Sequence, residues 1–294
     1  MNLIKGGQGN MIEVKRPKGT HIKKFLKNKR AMAGLIILVL EILTVALGPL
    51  IYKVDPNFSD YAAFNMAPSA QYLLGTDDTG RDILARILAG GRVSLMVGIC
   101  STLISVAIGI PLGLLAGYFR GIFETIVMRC ADIFMSFPTT ILCLVLVSVF
   151  GSSIGTIIIV IGVLEWVGIA KLIYGNVLTI RSKEFIEAEK ALGSSSLKIM
   201  FKEVLPNAMT PVWASIAFNV VNAIKTESSL SFLGCGIQQP QASWGNIINA
   251  AQNLMVLKRR WWIWVPAGLC IVITVVSINF LGEGIRDVMD PKRN

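Results

Sequence analysis

Long apolar runs separated by polar stretches constrain this chain more than any other feature of its sequence. A helix that crosses a bilayer needs about 20 mainly apolar residues. Six segments reach this length: 33–52, 93–119, 127–150, 153–173, 208–230 and 264–285. Only 16% of the residues are charged, against about 25% in soluble domains. The sequence therefore predicts an all-α polytopic membrane protein with six transmembrane helices, the third of them kinked near Pro138.

The distribution of positive charge predicts how these helices are oriented. An even number of crossings places both chain ends on one side of the membrane. Most of the 28 lysines and arginines fall in the N-terminal tail, in the polar segment after the fourth run and in the C-terminal tail. The positive-inside rule then assigns these parts, and both termini, to the cytoplasm.

The chain divides into four predicted parts. They are a basic cytoplasmic tail at 1–32, the first transmembrane helix with an extracellular segment at 33–92, the transmembrane core at 93–285, and a cytoplasmic tail at 286–294. The core includes a polar loop at 182–207, the one inside connection long enough to fold by itself.

Composition argues against several function classes. The net charge of +10 is consistent with either nucleic acid or a membrane, but no basic face is interleaved with aromatics for base stacking. We therefore expect lipid contact and no nucleic acid. With His21 as the only histidine and no CxxC pair, no metal site is expected. A G-x-x-x-x-G-K-[ST] phosphate loop is absent from the sequence, so we expect no catalytic residues and no bound cofactor in this chain.

The loop at 182–207 predicts two short helices joined by a bend. Ser182 is the expected N-cap of the first helix, and Gly193 is the expected stop. The second helix has one apolar face, and Pro206 is expected to end it. That face comprises Leu197, Met200, Phe201, Val204 and Leu205. A helix lying on the lipid surface is one interpretation, but the first helix is too polar for lipid, which favours a partner protein.

The same loop carries a family resemblance. It resembles the EAA signature of ABC importer permeases, which reads Glu-Ala-Ala, three residues, Gly, nine residues, Ile-x-Leu-Pro. The matching positions are Glu187, Ala188, Glu189, Gly193, Leu205 and Pro206. Two positions depart from the signature, with Glu189 in place of alanine and Glu203 in place of isoleucine.

Two further segments resemble one branch of that family, the dipeptide, oligopeptide and nickel permeases. One is LGTDDTGRD at 74–82, and the other is SSLSFLGCG at 228–236 followed by SWGN at 243–246. The resemblance extends from about residue 20 to near the C-terminus.

The resemblance implies a type I ABC importer permease fold in the bacterial plasma membrane. It also implies a second homologous permease subunit, two ATPase subunits that bind ATP and Mg, and an extracellular substrate-binding protein. The EAA loop would form a coupling helix that docks on an ATPase. The implied function is import of short peptides, with import of nickel or another metal as a chelate as the alternative. From other classes, an ion-coupled secondary transporter and a structural scaffold stay open.

Charged residues inside the apolar runs are candidates for the translocation path. An ionisable group at the bilayer centre costs about 2.5–3.5 kcal/mol and usually faces protein or water. Glu165, Lys225 and Glu227 are such groups. The resemblance supports an acidic residue at Glu227, but an apolar residue is more usual where Lys225 stands. Small residues of the second run, among them Gly109, Gly113 and Gly117, are expected to serve packing and hinge roles.

Overall fold

The computed structural model describes residues 3–5, 11–13 and 20–289 of the chain. The rest of the predicted tails, at 1–2, 6–10, 14–19 and 290–294, lies outside the described residues. Two short strands, β1 (Leu3–Lys5) and β2 (Met11–Glu13), pair antiparallel, with Ile4 opposite Ile12. Helix α1 (Thr20–Lys27) follows. The strand pair was not expected; the other named elements of the described chain are helices, as predicted.

Four of the six expected crossings are single helices. They are α2 (Lys29–Ile51), α3 (Ile83–Phe119), α6 (Ile154–Arg181) and α13 (Trp261–Met289). Helix α3 begins ten residues before the apolar run that predicted it. Asp82 accepts a hydrogen bond from the Ala85 N–H at 2.8 Å and caps the helix at this earlier point. The apolar run starts later because residues 83–92 contain Arg86 and Arg92.

The other two crossings are bent helix pairs. Helices α4 (Gly121–Met135) and α5 (Thr139–Phe150) meet at 87°, with Pro138 preceding α5. This confirms the predicted kink, because proline lacks the N–H that a continuous helix needs. In the second pair, the helical stretch 196–208 and α10 (Val212–Phe232) meet at 64°, with Pro211 at the start of α10. The break expected at Pro206 therefore lies a few residues later in the chain.

The remaining helices are short and lie in two connections. Helices α7 (Glu184–Ala191), α8 (Ser196–Ile199) and α9 (Leu205–Ala208), with a π-helical turn at Met200–Val204, lie between α6 and α10. Helices α11 (Trp244–Asn249) and α12 (Leu254–Arg259), with a 3₁₀ turn at Ala250–Gln252, lie between α10 and α13.

A seam between α3 and α6 forms the centre of the bundle. Glycines at 109, 113 and 117 repeat every four residues, so they share one face of α3. A Cβ built on Gly113 would lie 2.3 Å from the Ala170 carbonyl oxygen. The Ser105 hydroxyl donates to the Gly162 carbonyl at 2.9 Å across the same seam. The packing role expected for these glycines is therefore confirmed.

The beginning of α2 and the end of α13 are neighbours. The Asn28 side-chain amide donates to Asp287 at 3.4 Å, and the Thr274 hydroxyl donates to Glu41 at 2.8 Å farther along the two helices. With each bent pair counted as one crossing, both ends of the bundle lie on the same side, as an even number of crossings requires.

The seam yields a first prediction. Replacing Gly113 with alanine should lower the free energy of unfolding by about 1–3 kcal/mol, because the methyl group forces α3 away from the Ala170 backbone. Gly175→Ala on α6 is the matched control, since a Cβ there meets nothing within 4 Å. The measurement is the thermal unfolding midpoint in detergent, and equal midpoints for the two variants would contradict the prediction.

Candidate functional site

A cavity of about 580 Å³ lies where α4, α5, α6 and α10 meet. Its lining contains both apolar and polar side chains. The apolar lining comprises Phe134, Met135, Leu164, Val167 and Gly168, and the polar lining comprises Thr139, Thr140, Glu165, Asn219, Asn222, Lys225, Thr226 and Ser229. The residues that flank the break between α4 and α5, Met135 and Thr139, both line the cavity.

The polar wall is mostly a stripe on α10. Asn219, Asn222, Thr226 and Ser229 recur at three- and four-residue steps, and Lys225 extends the same face. On a helix that otherwise presents alanine, valine and isoleucine, this face is unsuited to lipid. The stripe therefore has to face protein, water or a ligand, and in this fold it faces the cavity.

Two polar atoms of the cavity wall lack partners. The Asn219 side chain is 9% exposed, and its Nδ2 has no hydrogen-bond partner within the described part of the chain. The same holds for Oε2 of Glu165 on α6. Buried polar groups are nearly always hydrogen-bonded, so two orphaned atoms on one cavity mark a place where something else binds.

The sequence-predicted charges separate into two locations. Glu165 and Lys225 both line the cavity, close enough for their charges to interact. They are not an ion pair, since no salt bridge among the described residues joins them. Glu227 lies two residues from Lys225 on α10 but is not part of the cavity lining.

Glu227 is instead fully buried in a cluster of serines. Its carboxylate accepts from the Ser231 hydroxyl at 2.8 Å and from the Ser94 hydroxyl at 3.3 Å. Ser94 in turn accepts from the Trp244 backbone N–H at 3.2 Å. This buried carboxylate therefore connects α10 and α3 to the connection that follows α10.

We call residues 53–82 and 234–260 the cap, because these two connections fold together at one end of the bundle. Asp77 forms the central ion pairs of the cap. Its Oδ2 lies 2.7 Å from Arg81 Nε and 3.7 Å from Arg86 Nε. Arg81 also donates to the Gln239 side chain at 2.8 Å, and Arg86 donates to the Pro56 and Pro240 carbonyls. The two sequence segments at 74–82 and 228–246 therefore meet in space.

The segment Ser182–Asn207, here the connecting segment, forms two helical parts joined by a bend, as predicted. Gly193 has a φ of +77°, a value glycine adopts at no steric cost. Its N–H donates to the Lys190 carbonyl, and the Ser194 N–H donates to the Glu189 carbonyl, at 3.0 and 3.1 Å. This pair of bonds is a Schellman motif.

The acidic departure at Glu189 also has a structural role. Its carboxylate accepts from the Ser194 hydroxyl at 2.7 Å, across the bend. Ser195 then caps α8 by accepting from the Lys198 N–H. The bend is therefore held from both sides.

Two details of the predicted connecting segment were wrong. Ser182 does not cap α7; it ends α6, and its hydroxyl donates to the Thr179 carbonyl. Pro206 does not end the second helical part, which continues to Ala208 after the π-helical turn.

The predicted apolar face of the second helical part is confirmed only in part. Met200 and Val204 are buried against α3 and α6, and Leu205 packs beside them. Leu197 and Phe201, which were expected on the same face, are exposed, and Ile199 and Ala208 are buried instead.

Four apolar side chains of the connecting segment remain uncovered. Phe185 is 41% exposed, Leu192 80%, Leu197 60% and Phe201 56%. The segment is nevertheless anchored, because Ile186 of α7 is fully buried in the cluster formed by α3, α6 and the second helical part. Glu187 and Ala188 are exposed on the same short helix. A fixed polar helix beside uncovered apolar side chains is a surface suited to a protein partner.

Sequence reasoning missed two sets of residues that the structure brings into these sites. The polar stripe on α10 has a visible signal, the recurrence at three- and four-residue steps within an apolar run. The pairing of Asp77 with Arg86 and the contact of Ser94 with Glu227 have no such signal, because each partner lies on a different segment of the chain.

Comparison with known proteins places these features in a family. Residues 109–294 match the family described as binding-protein-dependent transport system inner membrane component. Residues 20–68 match the N-terminal transmembrane domain of oligopeptide transport permease C.

Individual relatives are similar over most of their length. A putative peptide permease protein of Brucella suis is 38% identical over 94% of this chain and 91% of its own. The dipeptide transport system permease protein DppC of Bacillus subtilis is 37% identical over 95% and 88%. The oligopeptide transport system permease protein OppC of Escherichia coli is 38% identical over 92% and 89%.

Among solved structures, the MetNI methionine ABC transporter in inward-facing conformations has a similar fold. One chain of it superposes with a TM-score of 0.58 at 21% identity, covering 70% of this chain and 96% of that one. At this identity the likeness concerns the fold alone, which is that of a type I importer permease.

The cap yields a second prediction. Asp77→Asn should lower the free energy of unfolding of the cap by about 3–5 kcal/mol, because it leaves two buried guanidinium groups without their counter-charge. Asp78→Asn is the matched control, since Asp78 is exposed. Limited proteolysis within 53–82 is the measurement, and equal cleavage of the two variants would refute the role of Asp77.

The pH dependence of the same site has a defined sign. Burial alone would raise the pKa of Asp77, but hydrogen bonds from the Arg81 and Thr79 N–H groups and the charge of Arg81 outweigh it, and the net shift is downward. A lowered pKa in the folded state contributes stability above the ordinary aspartate pKa, and this contribution is lost as the pH falls through the lowered value. In the wild type, cleavage of the cap by an acid protease should therefore increase as the pH falls through the lowered pKa of Asp77. In Asp77→Asn, which has no carboxylate to protonate at this position, this pH-dependent increase should be absent.

Proposed function

The chain belongs to the family of binding-protein-dependent transport system inner membrane components, and from this membership we propose that it is the permease subunit of an ATP-driven importer of short peptides. Peptides are proposed as the substrate because the dipeptide, oligopeptide and peptide permeases named above are 37–38% identical over more than nine-tenths of the chain. These relatives favour peptides over the alternative of a chelated metal.

The energy for transport comes from partner chains in this proposal. The sequence contains no phosphate loop, so two ATPase subunits would bind ATP and Mg. The connecting segment is the surface where we place an ATPase. Its support is the polar α7, which carries Glu187, Ala188 and Glu189, together with the four uncovered apolar side chains beside it.

The proposed assembly has further parts. We place both termini and the connecting segment in the cytoplasm, because most of the positive charge falls there, and the cap then faces outward, where a binding protein would deliver substrate. A second homologous permease subunit would complete the path. The cavity with Glu165 and Lys225 is the part of that path contributed by this chain, and Glu227, close to it on α10, secures its outer end.

An uptake experiment tests the proposal. The chain is reconstituted in vesicles with its partner permease and ATPase subunits, and uptake of a labelled dipeptide from loaded binding protein is measured. Uptake should require internal ATP and persist when ionophores abolish ion gradients. Uptake that survives removal of the ATPase subunits, or that ends with the ion gradient, would instead favour an ion-coupled secondary transporter.

The bend in the connecting segment yields a third prediction. Gly193→Val should abolish coupling of ATP hydrolysis to uptake while leaving membrane insertion intact. A β-branched residue at a φ of +77° costs at least about 1–2 kcal/mol and shifts α7. Gly193→Asn is the control, because asparagine tolerates this conformation.

The readout is the ratio of ATP hydrolysed to peptide imported. It should rise sharply for Gly193→Val and stay close to wild type for Gly193→Asn. A normal ratio in the valine variant would show that the bend does not transmit the motion.

A further inference from the structure

The cavity carries one negative side chain on α6 and one positive side chain on α10, and a short peptide carries one charge of each sign at its ends. We propose that the cavity is a binding site for the two termini of a short peptide, with Lys225 of α10 facing the carboxylate and Glu165 of α6 facing the amine. This inference rests on the proposed function and names the chemistry by which the path recognises its cargo.

The first argument is that neither charge is fully paired within the described chain. Ionisable groups within membrane-spanning helices are costly and are kept where they have partners or a function. Glu165 has a hydrogen bond with Thr226, but its Oε2 has no partner in the described chain. Lys225 is exposed to the cavity, and no salt bridge among the described residues joins it to Glu165. Oε2 of Glu165 and the Lys225 ammonium are therefore available to a dipolar molecule in the cavity.

The second argument is the set of polar atoms around Lys225. Nδ2 of Asn219 is an unpaired donor on a side chain more than nine-tenths buried. Asn222 is exposed on the same wall, one turn before Lys225. The Ser229 hydroxyl, one turn after Lys225, is already engaged, because it donates to the Lys225 backbone carbonyl at 2.8 Å. A carboxylate accepts several hydrogen bonds, so an ammonium flanked by two amide side chains is a suitable environment for it.

The third argument is size and shape. A volume of about 580 Å³ falls within the roughly 300–1,000 Å³ typical of small-molecule sites. The remaining wall consists of Phe134, Met135, Leu164 and Val167, and apolar contact is non-directional. Such a site binds the termini of the peptide and has little specificity for its side chains. It therefore admits many sequences of similar length.

The test uses three forms of one probe, dialanine with free termini, its C-terminal amide and its N-acetyl derivative. A cysteine is placed at Thr139, which is exposed in the cavity lining, in a background without the five native cysteines. The assembled transporter is treated with a maleimide, and the concentration of each probe that halves the labelling rate is determined. Uptake of the three probes at saturating binding protein is a second readout that retains the native cysteines.

The expected result is crossed selectivity. In the wild-type cavity, dialanine should protect at about tenfold lower concentration than either derivative, because each loses a charged hydrogen-bonding partner. Lys225→Met should remove the preference over the amide and retain the preference over the acetyl form. Glu165→Gln should remove the preference over the acetyl form and retain the preference over the amide. Lys53→Met, which removes a lysine outside the cavity, should change neither.

Two outcomes would overturn the inference. One is an equal loss of protection for all three probes, which would mean that Lys225 and Glu165 shape the cavity without recognising termini. The other is unchanged preferences in both variants. Failure of the proposed function gives a different pattern, in which dialanine protects the cavity but is not imported with ATP. Import with unchanged preferences refutes only the binding site.

Discussion

The close contact between α3 and α6 is the constraint on which the other features depend. At Gly113 the two backbones approach so closely that no side chain fits between them, and in a bilayer such packing replaces the hydrophobic effect as the force between helices. Helix α3 starts in the cap and α6 leads into the connecting segment. Glu165 projects from the middle of α6 into the cavity. The seam therefore fixes the relative positions of the cap, the connecting segment and the cavity.

Two carboxylates within the apolar runs, Glu227 on α10 and Glu165 on α6, have different surroundings and therefore different roles. Glu227 accepts hydrogen bonds from serines on α3 and α10, so its burial is compensated and it holds elements together. Glu165 is left with an unsatisfied oxygen on the wall of a cavity. A buried polar atom without a partner costs about 1–3 kcal/mol. Such a cost is retained where a ligand or water can relieve it.

The sequence predicted what depends on local patterns. Length and apolarity located the six crossings, Pro138 located the break in the third, and Gly193 located the bend in the connecting segment. The sequence did not predict features that depend on tertiary contacts. The buried side of the second helical part is set by the surface of α3 and α6 against which Ile199 and Met200 pack, and the π-helical turn redirects its face. Hydrophobic spacing, which assumes a regular α-helix, selected Met200, Val204 and Leu205 correctly, but it also selected Leu197 and Phe201, which are exposed.

The cavity was only partly predictable for the same reason. Glu165 and Lys225 stand out in any apolar run, but their placement on one cavity depends on the packing of α6 against α10 beside the break between α4 and α5. Glu227 stands out equally in the sequence, and its hydrogen bonds with Ser94 and Ser231 show that it is buried away from the cavity that Lys225 lines.

The continuity of α6 has a mechanical consequence. The helix runs unbroken from Ile154 to Arg181, and two residues separate it from α7. Its close contacts with α3 extend from Gly162, which lies against Ile104, to Val177, which lies against Gly117, and Glu165 falls within this stretch. A displacement applied at α7 therefore reaches the cavity wall only if α3 and α6 move together or if the seam between them opens.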